Sequence, residues 1–139
     1  MSALDQLIRL HRWRLEDERR KMADLQRLAD KLVDQIAGLD EEVMREAAAA
    51  KAAGTPELTR AFAAYADLTR LRREKLERSR QDVEVRIEAA RELVLEVFRE
   101  LEKYEQAQRN RQAKRQAELK RRERIQEDEV GIDRHRRRS

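Results

Sequence analysis

Few of the 139 residues are of types that do chemistry, and their spacing narrows what that chemistry could be. The two histidines, His11 and His135, stand near opposite ends of the chain, and neither has a second imidazole one helical turn away, as a metal site would need. A lone histidine can still act as a pH-sensitive group. His11, however, falls in an apolar series at helical spacing, where a partly solvated packing role is expected. The serines, Ser2, Ser79 and Ser139, lie in no nucleophile elbow, and no Gly-rich phosphate loop occurs. The absence of cysteine removes thiolate catalysis, disulfides and the usual zinc sites. Carboxylates are plentiful, but they alternate with bases along what would be exposed helix faces, where pKa-tuning pockets do not form. The expected catalytic, cofactor and metal sets are therefore empty, and the chain reads as a non-enzyme. What remains is the chemistry of binding surfaces.

The elements that would carry such surfaces are set by Gly54-Thr55-Pro56-Glu57, which holds the single proline and one of three glycines. Glycine can end a helix in the left-handed conformation, Thr55 can cap the next one, and Pro56 suits its first turn. Before this breaker, Leu4, Ile8, His11, Leu15, Glu18, Met22, Leu25, Ala29, Leu32, Ile36, Leu39, Val43, Glu46 and Ala50 recur in alternating steps of four and three, eleven of the fourteen being apolar. Such a 3.5-residue repeat is a coiled-coil seam. Glu18 and Glu46 are expected to set register or to meet arginines of the facing helix. After the breaker the seam runs through Val83, Ile87, Ala90, Val94, Val97, Leu101 and Tyr104. Upstream of that, Leu58, Ala61, Tyr65, Leu68, Arg72 and Leu76 continue it, with successive steps of four that imply a stutter.

The matched stripes predict an all-α fold: a long antiparallel two-helix coiled-coil hairpin, folded within one chain, with an extended basic C-terminal helix. One coiled-coil domain over 1–139 is expected, with helix 1 over about 2–53, a turn at 54–56, helix 2 over about 56–130, and a mobile basic tail at 131–139. Gly131 is taken as the end of helix 2. Pairing about Gly54 places Leu25 near Val85 and Val43 near Leu68, and leaves helix 2 unpaired beyond about Tyr104.

Three sets of residues stand out as candidate docking sites. Leu7, Leu10 and Trp13 turn away from the seam, and an outward tryptophan is typical of interface hot spots. Beside the turn, Leu58, Phe62, Tyr65, Leu68 and Leu71 make the tip more aromatic than the shaft. Residues 107–139 hold twelve Lys or Arg against six Asp or Glu, a net +6 where the whole chain has +4. All the basicity is therefore in this end, where Arg121, Arg122 and Arg124 are the candidate contacts. An antiparallel hairpin would put the Trp13 patch and the basic extension at one end and the aromatic tip at the other. With no aromatic residue for base stacking and no nucleic-acid module, a specific nucleic-acid partner is not expected.

Charged residues make up 45% of the chain, mean hydropathy is −1.01, and there is no apolar run near 18 residues or secretory h-region. A cytoplasmic protein is expected.

The opening LDQLIRLHRWRLEDERRKMADLQRLADKL, the overall length with its early turn, and the closing KYEQAQRNRQAKRQAELKRRERIQEDEVGIDRHRRR with its acidic Glu127-Asp128-Glu129 resemble the flagellar FliJ family. That family supplies the coiled-coil stalk of the bacterial flagellar type III export apparatus. The resemblance implies an antiparallel coiled coil similar to a rotary-ATPase gamma subunit, working in flagellum assembly and motility. Its paired ends would sit in the export ATPase ring, through Leu7, Leu10, Trp13, Arg121, Arg122 and Arg124. Its other end would reach the cytoplasmic domain of the export gate, through Phe62, Tyr65 and Leu68. Export chaperones are further implied partners, and the membrane would be met only peripherally, at the flagellar base. A stalk of virulence secretion systems would look almost the same; a plain spacer or dimeric coiled coil and a basic RNA-associated helix are the other classes this pattern allows.

Overall fold

A computed structural model describes residues 2–138; Met1 and Ser139, the outermost residues of the expected domain and its tail, lie outside the described residues. The protein is all-α. Helix α1, Ala3–Ala53, and helix α2, Pro56–Arg138, pack against each other as a two-helix hairpin. Gly54 takes a φ of 67°, the left-handed turn that closes a helix, and its N–H donates to the Ala50 carbonyl at 3.2 Å. Thr55 Oγ1 then accepts from the Leu58 N–H at 3.3 Å, which caps α2 as its sequence predicts. At the start of α1, Ser2 Oγ accepts from the Asp5 N–H at 3.2 Å, and the Asp5 carboxylate accepts from the Ser2 N–H at 3.3 Å. This is a reciprocal cap in which aspartate stands where glutamate is usual.

The contacts fall into two units that each take residues from both helices: Glu16–Leu95, and the residues up to Leu15 together with those from Glu96 on. A two-helix seam packs only residues that face each other across it, so no common core gathers the chain.

In the Glu16–Leu95 unit, Ala29 and Leu32 of α1 pack with Val83 and Ile87 of α2, flanked by half-buried Leu25 and Leu76. The expected α1 seam is covered from Met22 to Val43; nearer the turn Ala47 is covered and Glu46 is exposed. On α2 the expected register fails near the turn. Leu68 is 70% exposed, and Leu58, Ala61 and Arg72 are exposed too. Thr69 is buried in their place, with Phe62, Ala66, Leu76 and Arg80 half-buried. Counting back from Val83 in alternating steps of three and four gives Arg80, Leu76, Arg73, Thr69, Ala66 and Phe62, so the repeat continues without the stutter. The seven-residue geometry of a helix pair outranks the identity of single leucines. The polar residue this brings to the seam, Arg73, is met across it by Asp40, with Nε–Oδ1 at 2.8 Å and Nη2–Oδ2 at 3.3 Å. The same shift lines one groove with Val43, Thr69 and Arg73, so Val43 does not pair with Leu68, and Val85 is 71% exposed.

In the other unit, Ile8, His11 and Leu15 of α1 and Val97 and Leu101 of α2 are buried. Arg12 bonds Glu105 at 3.1 Å, and Gln108 Nε2 donates to Asp5 Oδ1 at 2.7 Å. Pairing therefore extends past Tyr104 to Gln108. Every described residue from 109 on is exposed. Helix α2 also passes through Gly131 to Arg138, which corrects the expected end near 130 and the mobile tail at 131–139. Gly131 has no positive φ; an interior glycine costs about 1 kcal/mol relative to alanine, and Arg136, Arg137 and Arg138 in the last turn complement the negative end of the helix dipole.

Candidate functional site

Among the described residues, no three His, Cys, Asp or Glu side chains gather as metal ligands, and no helix is long and apolar enough to cross a membrane. The candidate sites are surfaces and one buried polar cluster.

The cluster centres on His11. Its seam position buries the ring to 6% exposure, which corrects the expected partly solvated role. Nδ1 lies 2.8 Å from the Leu7 carbonyl oxygen one turn back, and Nε2 lies 3.0 Å from Glu100 Oε2 on α2. The ring rests on Tyr104 with centroids 4.9 Å apart and planes tilted by 57°. Glu100 is remote in sequence and not on a seam position, so heptad counting along one helix does not find it.

On the same stretch of α1, Trp13 is 57% exposed, Leu10 52% and Leu7 38%. The outward face expected from the heptads is thus solvent-accessible, and it alternates within two residues with the buried His11. The expected basic contacts, Arg121, Arg122 and Arg124, are all exposed on the unpaired part of α2. Arg122 pairs with Glu118, Nε–Oε1 3.4 Å. These arginines begin thirteen residues beyond Gln108, which bonds Asp5 of α1, or about 20 Å further along a helix rising 1.5 Å per residue. They and Trp13 therefore form two separate surfaces, not one continuous patch.

Near the turn, Phe62 and Tyr65 are half-buried, with ring centroids 6.3 Å apart. With Leu58, Ala49 and Ala50 they line an open groove of about 330 Å³. The alanines of α1 are too small to fill the space beside the rings, which is why it stays open. Tyr65 Oη is cut off from solvent and makes no well-formed hydrogen bond, with Glu42 and Thr69 as its polar neighbours. Burial pushes its phenol above the usual value, and the Glu42 carboxylate acts in the same direction while Thr69 opposes it. Leu68, the third residue expected here, points to solvent and does not line this groove.

Three further side chains were not singled out by sequence: Asp5, Asp40 and Thr69. The first was legible as Ser2-x-x-Asp5, a capping pattern. Asp40 and Thr69 depend on the α2 register. Comparison with models of protein families, with characterised proteins and with solved structures gives no match to this chain.

Proposed function

We propose that this protein is a non-enzymatic coiled-coil stalk of a bacterial flagellar type III export apparatus, the family its sequence resembles. In this reading it links the export ATPase ring to the cytoplasmic domain of the export gate, meets export chaperones, and supports flagellum assembly and motility. Its place is the cytoplasm, peripherally attached to the inner membrane at the flagellar base. The supporting observation is the contrast at one helix end: Trp13 is kept 57% exposed while His11, two residues away, is buried. A large aromatic side chain held out of a seam is an anchor available to a partner. In the proposal Leu7, Leu10, Trp13 and the arginines Arg121, Arg122 and Arg124 bind the ATPase, and Phe62, Tyr65 and Leu68 bind the gate.

Binding of the purified chain to the export ATPase tests this. Trp13→Ala is expected to weaken binding by about 2 kcal/mol, roughly thirtyfold in Kd, with helicity unchanged by circular dichroism. Phe62→Ala should leave ATPase binding intact and reduce binding to the gate. Wild-type ATPase binding by Trp13→Ala, with loss in Tyr65→Ala at full helicity, would reverse the two ends; no binding by the wild-type chain would end the proposal. A second reading, a polyanion-binding helix, is favoured by the net +6 of residues 107–139. RNA retention that falls steeply with salt would select it.

A further inference from the structure

We propose that the stretch beside the turn is an interface for a second copy of this chain, two hairpins packing face to face about a two-fold axis parallel to their helices. The register that buries Thr69 leaves large apolar side chains outside the seam: Leu58 is 47% exposed, Leu68 70% and Leu71 53%. On α2, Leu58, Tyr65 and Arg72 recur every seven residues, and on α1 so do Gln35, Glu42 and Ala49. Seven residues are two turns of a coiled-coil helix, so each row keeps to one side of the seam. The groove that Glu46, Ala49, Leu58 and Tyr65 help to line and the one that Gly38, Glu42 and Arg72 help to line therefore open on the same side.

The two walls of this face differ. The α1 wall is small and acidic, with Gly38, Ala49 and Ala50 beside Glu42 and Glu46. The α2 wall is large and carries a cation, with Leu58 and Tyr65 leading to Arg72. Leu68, three residues after Tyr65 and four before Arg72, lies in the same strip. Among the described residues, Glu42 and Arg72 form no ion pair within one copy. On the opposite side, the groove that Val43 and Met44 help to line is bridged by Asp40 and Arg73. The charges of the first side are thus left for a partner, and those of the second are not.

A two-fold axis along the helices keeps every residue at its own height and sets the α1 wall of each copy against the α2 wall of the other. Leucines then meet alanines and glycine, and Glu42 faces Arg72 of the second copy. All neighbouring helices run antiparallel, as in a four-helix bundle. Small against large and acid against base make this face complementary to itself. An isologous contact of this kind closes at two copies.

The inference does not rest on the export-stalk reading, because the purified chain alone tests it. Sedimentation equilibrium of the full chain should show a reversible monomer–dimer equilibrium that approaches twice the 16.6 kDa of one chain. Leu68→Asp puts a carboxylate into the contact and should raise the dimer dissociation constant by at least about tenfold, with circular dichroism unchanged. Met44→Asp, on the opposite groove, should leave the constant as in wild type. Glu42→Arg alone and Arg72→Glu alone each set like charges against one another and should weaken association of either chain with itself. Mixed, these two variants should form a one-to-one dimer, since both cross-copy pairs then unite opposite charges; a role confined to one chain's fold gives no such rescue. A wild-type chain that stays monomeric at every concentration, its groove covered only by some other protein, would overturn the proposal and leave ATPase binding a separate question. So would a mixture that stays monomeric, or loss of the dimer in Met44→Asp but not in Leu68→Asp. If Leu68→Asp loses helicity, the mixture still decides.

Discussion

Two stretches of this protein are helical for different reasons. In Glu16–Leu95 the helices share a row of buried residues, with Ala29, Leu32, Val83 and Ile87 at its centre. Residues 116–138 have no facing helix; Leu119, Ile125, Val130 and Ile132 are each about half exposed, as side chains on a bare helix are. Both stretches are rich in strong helix formers, and both carry ion pairs within one turn, such as Arg80 with Glu77 and Arg122 with Glu118. The difference is the seam. Propensity and local ion pairs suffice to set the backbone as a helix, whereas cooperative stability comes from burying an apolar face.

The largest expected effect separates the two stretches directly. Ile87→Ala, at 6% exposure, should cost about 2–4 kcal/mol in urea unfolding, as buried isoleucine truncations do. Ile125→Ala, of the same chemistry but at 46% exposure, should fall within about 0.5 kcal/mol of wild type. Equal losses would mean that the extension shares the packed unit's cooperativity.

Glycine substitutions sharpen the contrast with opposite signs. Gly54→Ala must adopt a φ of 67°, which a Cβ disfavours by about 1–2 kcal/mol, and should lower the melting temperature. Gly131 is helical, with open space where a Cβ would lie, so Gly131→Ala should raise helicity at 222 nm, reflecting about 0.5–1 kcal/mol of propensity. A loss of helicity in Gly131→Ala would show that this segment needs glycine's freedom.

The smallest effect is a pH dependence at the α1 cap. The Ser2 hydroxyl and backbone, and then Gln108, bond the Asp5 carboxylate and hold it below its ordinary value of 3.8. A depressed carboxylate contributes stability that is fully present above the ordinary value and is lost as pH falls through the lower folded one. Fraying of the first turn, followed by amide exchange or chemical shifts of residues 4–8, should therefore grow below about pH 4. Asp5→Asn should flatten that change.

Much of this was legible without coordinates. The breaker at Gly54, the cap at Thr55, the α1 seam and the α2 seam from Val83 to Tyr104 all follow from backbone preferences and a 3.5-residue period, which act locally and leave their mark in residue type. The outward position of Trp13 follows from the same count.

The tertiary structure alone decided which neighbouring period α2 uses near the turn. Leucines at 58 and 68 pointed one way, but the pairing register fixed at Val83 and Ile87 carried Thr69 inward, turned Leu68 to solvent and set Arg73 against Asp40. It also decided that His11 is buried and held at both nitrogens, because Glu100 approaches from another helix. Local periodicity is written residue by residue along one helix. The partner of a buried polar group depends on how two helices are aligned, and a single helix carries no trace of that alignment.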